Sequence, residues 1–343
     1  MRYGSVELHN VAELIEGDGQ PGFGISRLPR EIRERVNPGA RQKSFMGAGC
    51  EIRGLLPEKG QARVALQALD SNVTPPVATV YHGCFCSQTV LVGKEPTEIL
   101  IQDPPRMAEI VRLSRANRLP FHPRLARVRL PSIHTVRVLA IEGDWGYPPA
   151  DAVPARTLLC YGSSITHGAC AIAPEGTYAA QCARRLGCDL LNLGFGGSAQ
   201  MDRAIAEHIA ARADWDIAVF EMGINVRDWP RERFQAAVET FVGIVAAAHP
   251  PRPIFCLDLF TNDADFAEHP TKGVGFREAV RDVAAGFGSP NVMYVDGRTI
   301  LTDPTGLRGD LVHPSDAGMQ EMGEKLAAVI ARQGVMKARP RAS

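Results

Sequence analysis

"LLCYGSSITHGA", Leu158–Ala169, is an apolar run that stops at Gly162 and turns polar at two serines. A short apolar run ending in Gly-Ser-Ser reads as a strand buried on both faces, a tight turn and a helix start. The same rhythm recurs downstream. "DLLNLG" (189–194), "DIAVFEMG" (216–223), "PIFCLDLF" (253–260) and "NVMYVDG" (291–297) are further runs of this kind. Helical spacing follows over about 175–187, 200–211, 231–248 and 273–287, and a last helix begins at the cap Ser315. These units predict a flavodoxin-like three-layer α/β/α domain with a parallel sheet, whose ligands bind outside the carboxyl ends of the strands.

Upstream the rhythm differs. From about residue 45 to 143, runs such as "ARVALQAL", "VATVYHG", "TEILIQD" and "HTVRVLAIEG" alternate with period two between turn residues. That pattern predicts an antiparallel β-sandwich of jelly-roll type. Helices are expected at 105–117 and, shorter, at 30–35. Residues 1–45 carry no pattern that assigns them. The Pro/Gly/Ala-rich "GDWGYPPADAVPAR" (143–156) marks the boundary, giving a sandwich domain at 1–150, an α/β domain at 151–335 and a short basic tail at 336–343.

Composition narrows the partners. Of 343 residues, 38 are Lys or Arg and 38 are Asp or Glu, with a split of +4 before residue 150 and −4 after it. No field of one sign argues for nucleic acid or for a membrane surface. The first residues lack the continuous apolar core of an export signal, and no apolar run spans a bilayer. A cytoplasmic setting is therefore expected, with the eight cysteines (50, 84, 86, 160, 170, 182, 188 and 256) reduced and mostly buried. "CFC" at 84–86 is too tight for a zinc site, and His122, His134, His208, His249 and His269 have no partner at ligand spacing. No metal or cofactor is expected.

Four polar blocks fall at one edge of the predicted sheet. Ser163 and Ser164 follow the first strand, "GFGGS" (194–198) the second and Asn225 the third, while Asp310 and His313 precede the final helix. Each block alone reads equally well as turn or cap chemistry. Together they supply what acyl transfer needs. A serine hydroxyl needs a histidine to take its proton, and the imidazole needs a carboxylate to fix its tautomer. The tetrahedral intermediate needs donors on its oxyanion.

These blocks resemble those of the SGNH (GDSL-type) hydrolase superfamily. "YGSSITHG" is similar to the nucleophile block, "NLGFGGSAQM" to the glycine block, "EMGIN" to the asparagine block and "DLVHPSDAG" to the final block, over about 156–332. The resemblance implies Ser164 as nucleophile, Asp310 and His313 as the rest of the triad, and Ser164, Gly197 and Asn225 as oxyanion donors. Two positions depart from the pattern: Ser163 stands where the family has Asp, and Val226 follows Asn225 where many members have Asp. An α/β-hydrolase elbow, G-x-S-x-G, is a poorer match because residue 166 is Thr.

Ser163, His167, Glu221, Met222 and Val226 are candidates to line the substrate pocket, although a helix-start histidine without a catalytic part is the plainer reading of His167. Glu221 fits a local hydrogen bond equally well. Asp258 and Asn262, after the fourth strand, are weaker candidates. Seven arginines between 106 and 129 stand against the single Glu109, and alternation along an exposed strand and helix is the plainer reading of them. The resemblance implies a serine esterase for short-chain, acetyl-type esters of a carbohydrate or similar small alcohol. An acyltransferase of the same type is the alternative. A non-catalytic carbohydrate-binding protein fits less well, because Trp145, Trp215 and Trp229 are few and scattered. The expected partner is a small-molecule ester, without nucleic acid or membrane. The oligomeric state stays open, a homo-oligomer included.

Overall fold

The computed structural model describes residues 1–17 and 19–334, so the tail at 336–343 lies outside the described residues. Its parallel sheet has the strand order Asp189–Gly194, Thr157–Gly162, Ile217–Glu221, Ile254–Leu257 and Val292–Val295. The second strand in sequence is thus an edge, and the chain reverses direction across the sheet beside Thr157–Gly162. That is the switch point of a flavodoxin-like sheet, where ligands bind. Helices Arg203–Ala211, Arg231–Ala248 and Phe276–Gly286 bury one face. Tyr178–Leu186 and Asp316–Arg332 bury the other. The last two helices start where Thr177 and Ser315 hydroxyls accept the N–H groups of Ala180 and Gly318.

The N-terminal part is a sandwich of two antiparallel sheets around one apolar core. One sheet runs in the order Arg2–Tyr3, Val6–His9, Glu51–Leu55, Leu125–Arg129, Val77–His82 and Phe85–Leu91. The other runs Glu13–Ile15, Phe23–Ser26, Val136–Gly143, Gln61–Ala68 and Thr97–Gln102. Residues 1–45 therefore belong to both sheets. Their strands are two to four residues long, too short to display a period. The expected helices are present at Met107–Ala116 and, as a single turn, at Arg30–Arg33.

Two of the arginines read as exposed are not. Leu125–Arg129 is a central strand; Ala126 and Val128 face the sandwich core, and Arg127 faces the α/β part with only 3 % exposure. Arg127 grips the Glu51 carboxylate through two bonds of 2.7 and 2.8 Å, and Arg129 lies 3.1 Å from the same group. The alternation was real, but both faces of this strand are covered.

The sandwich also covers the edge of the parallel sheet. An edge strand leaves the carbonyls of alternate residues unpaired, and burying them without donors would be costly. Here each is met by a side chain from the first 30 residues. His9 Nε2 lies 2.6 Å from the Leu190 carbonyl. Asn10 Nδ2 and Arg27 Nη1 donate to the Asn192 carbonyl at 3.1 and 2.9 Å. Arg27 Nη2 donates to the Gly194 carbonyl at 2.9 Å. At the start of the strand, Arg53 makes two 2.7 Å bonds to Asp189. All eight cysteines are unpaired, six of them buried. No helix among the described residues is long and apolar enough to cross a membrane.

Candidate active site

The first strand ends in Gly162, where a side chain would collide with Thr166 and the Glu221 carboxylate. Ser163 caps the four-residue helix Ser164–His167 by accepting the Ile165 N–H at 3.2 Å. Ser164 is its first residue, where the N–H has no intrahelical acceptor. The side chain that the family pattern replaces thus works as a helix cap, and the serine after it is the one presented to the cleft.

Ser164 Oγ lies 2.8 Å from His313 Nε2, and His313 Nδ1 lies 2.7 Å from Asp310 Oδ2. The Asp310–His313 spacing works because one carboxylate performs two tasks. Asp310 Oδ1 accepts the N–H groups of Val312 and His313 at 3.0 and 2.9 Å, which shapes the loop, while Oδ2 faces the ring. Burial opposes the charge on Asp310, but those two N–H groups and the imidazole outweigh it and hold its pKa down at about 2. The carboxylate is ionised wherever the histidine can act as a base.

Phe195–Ser198 forms a tight turn, with Ser198 N–H donating to the Phe195 carbonyl at 2.9 Å and Gly197 at φ +70°. That φ is the third-position geometry of a type II turn, which favours glycine. Neighbouring N–H groups are already engaged: Phe195 with the Gly162 carbonyl, Gly196 with His167 Nδ1 and Ala199 with Asn225 Oδ1. Among the described residues nothing accepts from the Gly197 N–H or from Asn225 Nδ2. Asn225 is oriented by the Ala199 bond at 3.0 Å, which turns its amide N–H₂ away from that loop. A Cβ on Gly196 would lie 3.5 Å from Ser164 Cβ, so this turn abuts the nucleophile directly.

The structure gives the remaining candidates other tasks. Glu221 is 1 % exposed and faces inward; its Oε2 accepts the Ser163 N–H at 2.6 Å and the Thr166 hydroxyl at 3.0 Å. Burial raises its pKa against those bonds. Met222 and Val226 pack in the core under the sheet, and His167 is buried against the N-terminal part. All four are buried, at 1–2 % exposure. Asp258 is also buried; it accepts from Tyr294 and from Gly297 N–H, both at 2.6 Å, and burial raises its pKa to about 6 against those bonds. Asn262 caps a short turn through Ala264 N–H at 3.2 Å.

Sequence reasoning did not find Arg27. It is fully buried, donates to the carbonyls of Met46, Lys43, Asn192 and Gly194 at 2.7–3.0 Å, and lies over the Phe195 ring. Its signal, one arginine in "GISRLPR", is indistinguishable from a surface residue. A cavity of about 210 Å³ between the sandwich and the helix Tyr178–Leu186, lined by Tyr81, Phe121, Arg129 and Arg184, contains no triad residue. Among the described residues no cluster of His, Cys, Asp or Glu is arranged to hold a metal ion.

An α/β/α sheet in this strand order, with a second β-rich domain before it, is the architecture of two-domain SGNH-type proteins. Residues 155–331 match the family model for GDSL-like lipases/acylhydrolases, and the chain belongs to that family. No curated protein matches it in sequence. Its fold is similar to that of the salicylyl-acyltransferase SsfX3 from a tetracycline biosynthetic pathway, with a TM-score of 0.79 and 20 % identity over 98 % of this chain and 97 % of that one. A family two carbohydrate esterase from Clostridium thermocellum gives a TM-score of 0.59 and 16 % identity, over 85 % and 94 %. The acetyl xylan esterase Est2A from the rumen bacterium Butyrivibrio proteoclasticus gives 0.56 and 12 %, over 96 % and 99 %.

Proposed function

We propose that the chain is a serine esterase that cleaves short-chain esters, acetyl esters foremost, of a carbohydrate or similar small alcohol through an acyl-enzyme on Ser164. The observation that carries this reading is the relay of 2.8 and 2.7 Å from Ser164 through His313 to Asp310. As Ser164 Oγ attacks the ester carbonyl, His313 Nε2 takes its proton. Asp310 accepts from Nδ1–H, which fixes the tautomer and stabilises the imidazolium. The oxyanion is met by the N–H groups of Ser164 and Gly197 and by the Asn225 amide, each worth about 3–4 kcal/mol in such sites. His313 then protonates the leaving alcohol, and a water activated by the same base releases the acid.

Likeness in fold to a carbohydrate esterase and an acetyl xylan esterase supports the acetyl-type substrate. Likeness to an acyltransferase supports a second reading, in which an alcohol other than water takes the acyl group. Ile172 and Leu311 favour keeping it. Both are exposed apolar side chains beside the triad loop: Leu311 follows Asp310, and the Ile172 N–H bonds Asp316. An apolar wall there would favour docking of an acceptor over water. Sugar binding without catalysis has less support, since Trp145 and Trp215 are buried and Arg233 covers the Trp229 ring at 3.8 Å.

Hydrolysis of p-nitrophenyl acetate, butyrate and octanoate, with and without added glycerol, tests both readings. Acetate should be cleaved fastest, Ser164→Ala should lower kcat by about 10³-fold or more, and Ser163→Ala should keep much of the activity. Full activity in Ser164→Ala would overturn the mechanism. Acetyl-glycerol as the main product would select transfer over hydrolysis.

A further inference from the structure

The glycine turn is held by a histidine that the reaction itself does not use. Gly196 N–H points at His167 Nδ1, 3.1 Å away. A neutral imidazole has one N–H, so accepting at Nδ1 puts the proton on Nε2. Arg27 Nη2 stands 3.4 Å from Nε2 but is already committed to the Gly194 and Lys43 carbonyls, so it acts on the ring by charge. Burial first, then the positive charges of Arg27 and Lys43, hold the His167 pKa well below its ordinary value, with the Ser132 carbonyl opposing. A second proton on the ring would turn Nδ1 into a donor facing the Gly196 donor.

We propose that His167 is a positioning residue for the acyl-transfer step. Its Nδ1 fixes the Gly196 N–H and so aims the next N–H along the turn, that of Gly197, at the oxyanion forming on Ser164. Arg27, contributed by the N-terminal sandwich, places its charge 3.4 Å from the ring and keeps it neutral, so that Nδ1 does not become a donor. The sandwich thereby sets the geometry of a catalytic donor without touching substrate. The inference rests on the oxyanion role proposed for Gly197.

The two ring nitrogens can be replaced separately. In His167→Asn the side-chain oxygen can take the place of Nδ1 and still accept from Gly196. In His167→Gln the amide reaches the Nε2 position instead, so the Gly196 acceptor is lost. For p-nitrophenyl acetate, Asn should stay within about threefold of wild-type kcat. Gln should fall by roughly 10–100-fold with KM little changed, less than the 10²–10³ cost of removing an oxyanion donor outright. Labelling by a fluorophosphonate, read as a rate, should follow the same order and does not depend on the natural substrate. If the Gln chain does not fold, His167→Ser, too short to reach Gly196, takes its place with the same expected loss. Equal kcat and equal labelling for Asn and Gln would overturn this inference alone. A wild-type protein inert to both ester and phosphonate would overturn it together with the esterase reading.

Discussion

Two buried arginines reach from the sandwich to opposite ends of the same edge strand, and they are held in unlike ways. Arg53, at the start, is 1 % exposed and surrounded by carboxylates: Asp189, Glu51 and, at 3.6 Å, Glu7. Burial opposes its charge, but Asp189 and Glu51 outweigh that and push its pKa up. Arg27, at the end, meets four carbonyls and no carboxylate. Burial therefore lowers its pKa, to about 10. One end is a neutralised ionic network with every charge paired. The other is a lone cation solvated by backbone dipoles. The difference teaches where the interface serves adhesion and where it serves the site, because an unneutralised charge still acts on its neighbours, and here the neighbour is His167 beside the glycine turn.

Breaking each end should separate the two roles. A large effect is expected from Arg53→Met, which leaves Asp189 with the Leu190 N–H at 2.9 Å and His9 at 3.5 Å. Removing one partner of a buried ion pair costs about 3–5 kcal/mol. Urea unfolding should show that loss, while kcat of the protein still folded stays near wild type. Arg27→Met should cost about 2–6 kcal/mol, since the Met46 and Gly194 carbonyls are each left without a donor at about 1–3, while Asn192 keeps its bond from Asn10 and Lys43 its bond from the Met46 N–H. Unlike Arg53→Met, it should also lower kcat, by about tenfold, because the His167 ring loses the charge that fixes its protonation. If the two variants lower kcat alike, the ends do not differ in function.

Much of this was legible in the sequence, for reasons particular residues make plain. The parallel strands were found because burial on both faces makes Thr157–Gly162 and Asp189–Gly194 continuous apolar runs. The polar blocks were found because a parallel sheet puts every strand's carboxyl end on one side. The sandwich strands at Val6–His9 and Phe23–Ser26 are four residues each and show no period. Arg27 was missed for a stronger reason. Its partners Asn192 and Gly194 lie more than 160 residues away, and no local pattern records a pairing that only the assembled edge creates. Glu221 and His167 were picked out as polar residues at the correct edge. From sequence, whether each is exposed or buried is invisible, and both are buried, bonded to the N–H groups of Ser163 and Gly196.

The smallest effect, and the sharpest comparison, is the pH at which each end lets go. The two ends carry groups with depressed pKa values but different starting points. His167 has a folded pKa well below its ordinary 6.5. The unfolded chain therefore binds its proton first, so its contribution is full above 6.5 and is lost as pH falls from there toward the folded pKa. Asp189 is held below its ordinary 3.8, since Arg53 outweighs the burial that opposes its charge. Its contribution is full above 3.8 and is lost only as pH falls further. His9, also lowered by burial first and then by Arg53, behaves like His167; it is untouched in His167→Asn, whereas Asp189→Asn removes a carboxylate 3.5 Å away that opposes the lowering. Urea midpoints at steps from pH 7.5 to 3 should show His167→Asn losing less stability than wild type between about pH 6.5 and 5, by up to about 1.4 kcal/mol per pH unit. Asp189→Asn, less stable throughout, should lose at least as much as wild type in that window and flatten relative to it only below about pH 4. A His167→Asn curve parallel to wild type down to pH 5 would mean that the ring accepts its second proton as easily folded as unfolded, and that Arg27 does not keep it neutral.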